Sequence, residues 1–127
     1  MRRPVLKAVR GLVYVSALAL ALPAATVCWA QGKSALSTAA KSGQKIFEQQ
    51  CALCHYSDQA KNKIGPGLKG ILKNKQLPFS HKPATVANVR EQIEKGNPQG
   101  KPMPMPPFAG KLSAKDINNL IAYLKTL

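Results

Sequence analysis

Cys51-Ala52-Leu53-Cys54-His55 is the stretch on which the reading of this chain turns. Two thiols separated by two residues, with a histidine directly after the second, suit several chemistries. A thioredoxin-like redox pair calls for a strand–helix–strand setting, and the flanking residues do not supply one. Structural zinc takes four ligands; apart from Cys28, treated below, only distant His81 is left to join Cys51, Cys54 and His55, and neighbours such as Cys54 and His55 rarely hold one ion together. A plain disulfide leaves His55 without a purpose. Covalent attachment of haem uses all three side chains: the thiols add to two vinyl groups on one edge of the porphyrin, and the histidine lies under the ring within reach of the iron.

The segment leading into the motif reads as a helix from about Ala39 to Gln50, with Ile46, Phe47, Cys51 and Cys54 on one apolar stripe. Such a helix fixes the direction of the three haem-binding groups. Downstream, Asp58 to Gly70 is a loop broken by Gly65-Pro66-Gly67, with a short helical turn at Leu68, Ile71 and Leu72. Thr85 can cap a second helix whose Val86, Val89 and Ile93 share a face and which Gly96 ends. Between Asn97 and Gly110 five prolines (Pro98, Pro102, Pro104, Pro106 and Pro107) remove backbone donors and fix φ, which excludes helix and central strand. Ser113-Ala114-Lys115-Asp116 resembles a capping box with Asp in place of Glu. It opens a last helix with the stripe Ile117, Leu120, Ile121 and Leu124. No run alternates as a strand does, so the domain reads as all-α, with long loops and no internal repeat.

A haem iron held by His55 needs a group on its other face, and His81, Met103 and Met105 are the candidates. A thioether favours the reduced iron and raises the potential, which suits electron transfer. Met105-Pro106-Pro107-Phe108 is the preferred site: the prolines stiffen the loop, so a weak sulfur ligand loses less entropy on binding, and Phe108 can pack against the ring or the core. Met103 stays open as the alternative, whereas His81, between Ser80 and Lys82, reads as a surface histidine.

Residues 1–30 look like a secretory signal. Arg2, Arg3, Lys7 and Arg10 precede an uncharged stretch from Gly11 to Ala30, which ends in the small-residue site Cys28-Trp29-Ala30. Cleavage after Ala30 removes the odd third cysteine and the one tryptophan, as an oxidising compartment favours. A retained membrane anchor is the alternative, because twenty uncharged residues approach the length of a bilayer span. Residues 31–38 read as a flexible lead and 39–127 as the domain.

The whole chain carries a net charge of +14; removing residues 1–30 takes four positive charges and leaves +10. The lysines are scattered, Arg90 is the one arginine left, and aromatics are not interleaved with the charges, which argues against nucleic acid. Redox proteins with acidic surfaces are the expected partners, and Lys63, Lys69, Lys101 and Lys111, which flank the haem segments, are the candidate steering charges.

From Ala39 to Leu127 the sequence resembles the class I cytochromes c, especially the small bacterial single-haem members. Gly43-Gln44-Lys45-Ile46-Phe47 with Cys51 to His55 is similar to the family's first helix and haem site, and Gly65-Pro66-Gly67-Leu68 to its post-haem loop. Met105 to Phe108 with Leu112-Ser113 looks like the methionine loop, and Leu120 to Lys125 like the final helix. The resemblance implies the cytochrome c fold, three to four helices with long loops around one haem. It implies that the Pro66 carbonyl accepts a hydrogen bond from His55, and that Gly43 and Phe47 meet Leu120 and Tyr123 where the first and last helices cross. The span from His55 to Met105 is shorter than in mitochondrial members, which leaves the propionate edge of the haem less covered. The implied function is that of a periplasmic, monomeric one-electron carrier rather than an enzyme. An electron-transfer subunit fixed to a larger oxidoreductase, and a ligand-binding or peroxidase-like haem protein, are the alternatives.

Overall fold

A computed structural model describes residues 35–127; the expected signal, the anchor alternative and the first half of the 31–38 lead lie outside the described residues. The first helix, α1, spans Thr38–Gln50. It starts one residue earlier than the sequence pattern suggests because Ser37 is its N-cap, accepting a hydrogen bond from the Ala40 amide at 3.1 Å. Helix α2 spans Val86–Lys95; Thr85 Oγ1 accepts from the Asn88 amide, and Gly96 closes the other end. Helix α3 spans Ala114–Leu124. Its cap is reciprocal, with the Asp116 amide donating to Ser113 Oγ and the Ser113 amide to the Asp116 carboxylate, at 3.1 and 3.2 Å. A 3-10 turn at Ile71–Lys73 interrupts the loop between α1 and α2. Among the described residues no named strand forms; pairing is limited to isolated bridges, Gln76 with Pro83, Asn97 with Met105 and Ala109 with Leu112. No described helix is long and apolar enough to cross a membrane.

The main packing joins α1 to α3. A β-carbon on Gly43 would overlap the Asn119 carbonyl and approach the Leu120 amide nitrogen to 2.9 Å, so only glycine lets the two backbones come this close. Beside the crossing, the Phe47 and Tyr123 rings lie 5.5 Å apart at 55°, a tilted pair. Leu120 is the most deeply enclosed large side chain, and Ile117, Ile121 and Leu124 complete the α3 stripe in the core. The crossing brings together the residues expected from the family resemblance.

Helix α2 adds Val89 and Ile93 to the same core. Val86, expected on that face, is exposed, because it sits in the first turn ahead of the packed part of the helix. On the outer side Glu91 bridges Lys82 and Lys95 at 2.6 and 2.9 Å, while Arg90 reaches both Glu94 and Asn118 on α3.

Candidate functional site

The Cys51–His55 segment leaves α1 as a tight turn. The Cys51 carbonyl accepts from the amides of both Cys54 and His55 at 3.0 Å, which coils the motif around its first cysteine. The Cys54 carbonyl then accepts from the Gly65 amide and the Tyr56 carbonyl from the Leu68 amide, each at 2.8 Å, folding the next loop back over the histidine. Lys63 Nζ donates to the Ala52 carbonyl at 2.7 Å and, with Lys61, lies over the Tyr56 ring.

His55 Nδ1 stands 2.8 Å from the Pro66 carbonyl. A carbonyl only accepts, so Nδ1 carries the proton and donates, leaving the Nε2 lone pair free for a metal. A β-carbon on Gly65 would press on the imidazole, so the ring position depends on that glycine as well as on Pro66. The sequence marks Gly65 only as loop punctuation; its role follows from where the loop returns.

These groups face a cavity of about 370 Å³ that also takes its walls from Met105, Phe108, Ile93, Leu120 and Leu124. Cys51, Cys54, His55 and Pro66 all line it, so every residue read from the sequence as haem-binding borders one space. His81 does not; it is exposed, with a φ of 53°. Both methionines line the cavity but differ in setting: Met105 packs against the core, whereas Met103 is 58% exposed. Met105 is held by backbone bonds in both directions with Asn97, at 2.9 and 3.1 Å. Phe108 is buried, and its amide donates to the Ile93 carbonyl at 3.1 Å, tying the loop to α2. Leu53 and Phe79, also on the lining, are exposed at the cavity mouth.

The competing chemistries fare poorly in this setting. Burial, with Cys54 adding to it, pushes the Cys51 thiol up to about 11, whereas a redox-active dithiol works through a lowered thiol pKa. Among the described residues no group of three or more His, Cys, Asp or Glu gathers to hold a metal ion. Cys51 and Cys54, the two cysteines among the described residues, are free. An apolar cavity with two thiols at its margin and one imidazole nitrogen to offer fits a flat, largely apolar macrocycle carrying a metal.

Comparison with known proteins agrees with the geometry. The family model described as cytochrome c matches residues 40–127. Cytochrome c of Gibberella zeae is 36% identical over 96 residues, covering 67% of this chain and 91% of its own length. Cytochrome c of Euglena viridis is 32% identical over 98 residues (69% and 96%), and that of Gossypium barbadense 33% over 97 (68% and 87%). These relatives come from a fungus, a euglenoid and a plant, so they do not bear on the narrower likeness to bacterial members.

Proposed function

Because the chain belongs to the cytochrome c family, with haem c attached through Cys51 and Cys54, we propose that it is an exported one-electron carrier with His55 and Met105 as the axial ligands. The observation that carries this reading is that His55 and Met105 line one cavity, each fixed by hydrogen bonds away from its donor atom. Bound haem supplies a one-electron couple at its iron. The chain's own residues do the rest. Pro66 holds the His55 proton on Nδ1, which makes Nε2 a better donor. Asn97 holds the Met105 backbone, and the buried walls at Phe47, Ile93 and Leu120 keep water from the ring. With both His55 and Met105 as ligands, no position at the iron would be left for a substrate, which suits electron transfer alone.

Export to the periplasm rests on the basic and apolar pattern of residues 1–30 and on the removal of Cys28 with them. Intact-mass analysis tests it: the mature protein should begin at Gln31 and lack tryptophan fluorescence, and a product retaining Met1 to Ala30 would sink the cleavage. The ligand assignment is tested by mutation. Met105→Ala should abolish the sulfur–iron charge-transfer absorption of the oxidised protein, and Met103→Ala should leave it intact; the reverse pattern would assign Met103. Rapid carbon monoxide binding by the reduced native protein would favour a ligand-binding haem protein, and copurification with a large partner would favour a fixed subunit.

A further inference from the structure

We propose that Gln92, Gly96 and Asn97 form a clasp that sets the position of Met105, with Gly96 as its positioning residue. The proposal rests on the reading of Met105 as an axial ligand. Gly96 closes α2 at φ 70° and ψ −161°, a conformation essentially confined to glycine. A β-carbon there would strike the Met105 carbonyl oxygen and lie 2.7 Å from the carbonyl carbon of Pro106 and 2.8 Å from the nitrogen of Pro107. The methionine loop is therefore pressed directly onto the end of α2, and the contact is backbone on both sides.

Two further sets of bonds hold that contact. The Gln92 side chain turns along the helix and donates from Nε2 to the Gly96 carbonyl at 2.7 Å, while the Gly96 amide donates to the Gln92 carbonyl at 2.9 Å. One residue on, Asn97 exchanges backbone hydrogen bonds with Met105, and the Asn97 side-chain oxygen accepts from the Gln99 amide at 3.2 Å. Gln92, Asn97 and Met105 all border the cavity. The linkage runs from a helix anchored in the core by Val89 and Ile93 to the sulfur-bearing residue, without passing through the exposed Met103 segment.

A side chain at position 96 can be accommodated by moving the Met105 loop off α2, which draws the thioether from the iron. Gly110 provides a matched control: its φ is 77°, yet a β-carbon there meets nothing within 4 Å, so Gly110→Ala carries backbone strain without the collision. The experiment compares Gly96→Ala, Gln92→Leu, Gly110→Ala and Met105→Ala in the haem-loaded protein, reading the charge-transfer absorption, carbon monoxide binding by the reduced form and the thermal midpoint. Gly96→Ala should raise the fraction of molecules lacking the sulfur bond by about tenfold, given the usual cost of such strain. Gln92→Leu should act in the same direction and remains informative should Gly96→Ala fail to fold. Gly110→Ala should lower the midpoint and keep the absorption. Loss of absorption in Gly110→Ala equal to that in Gly96→Ala would overturn the clasp, as would full retention in both Gly96→Ala and Gln92→Leu. Retention in Met105→Ala would instead overturn the ligand assignment.

Discussion

At the scale of single residues, His55 has its ring fixed by a hydrogen bond on one nitrogen and by a missing methyl group beside it. Gly65→Ala should displace the imidazole from the Pro66 carbonyl, make it a weaker donor and raise the reduction potential, with a stability loss of about 1–3 kcal/mol from overpacking. A redox titration of the variant beside its thermal midpoint checks both parts. The candidate site residues stand out in the sequence, because Cys51, Cys54 and His55 fall within one five-residue run and Met105 lies in a stiff proline frame, and the fold brings all of them to one cavity. What was not legible is the company they keep. Gly65 and Asn97 act through backbone positions that only the folded loops bring near His55 and Met105, and no local pattern encodes those approaches. The difference between Met103 and Met105 is likewise one of exposure, which two methionines two residues apart do not announce.

At the scale of elements, the helices follow from apolar spacing and caps, and that is why they could be read in advance. Ser113→Ala removes the side-chain half of the α3 cap and should cost about 1 kcal/mol by chemical denaturation. Phe47→Ala empties the α1–α3 crossing beside Tyr123 and should cost about 3–5 kcal/mol. Helix α2 carries an acid-sensitive contact. Hydrogen bonds from Lys82 and then Lys95 hold Glu91 down at about 2 from its ordinary 4.5. Its carboxylate is thus easier to protonate unfolded than folded, so the stability it lends is full above pH ~4.5 and disappears as the pH falls towards ~2. Asp116 is lowered too, chiefly by its hydrogen bonds with Ser113, and acts in the same direction. Glu91→Gln should flatten the dependence of stability on pH in that acid window, as denaturation curves taken across it would reveal. The bridges were beyond sequence reading: Gln76 with Pro83 and Asn97 with Met105 are single pairings with no alternation to betray them.

At the scale of the whole molecule, we propose that the excess of positive charge steers encounter with acidic partners. Exchange rates with an acidic redox protein should fall steeply as salt is added, measured by stopped flow; rates indifferent to ionic strength would remove electrostatic steering. Neutralising Lys63 should cost more than neutralising Lys69, since Lys63 also secures the Ala52 carbonyl beside the thiols. The all-α architecture could be read ahead because each helix carries its own stripe, whereas the closeness of α1 to α3 was expected only by family likeness. That crossing also bears on the order in which the folded site closes. The Gly43 notch stays unfilled until Asn119 and Leu120 pack against it, and until then the cavity lacks the wall that Leu120 and Leu124 supply. Before α3 docks, a bulky, rigid guest could therefore reach Cys51 and Cys54 without forcing any packed surface apart, and we propose that closure of the final helix follows attachment.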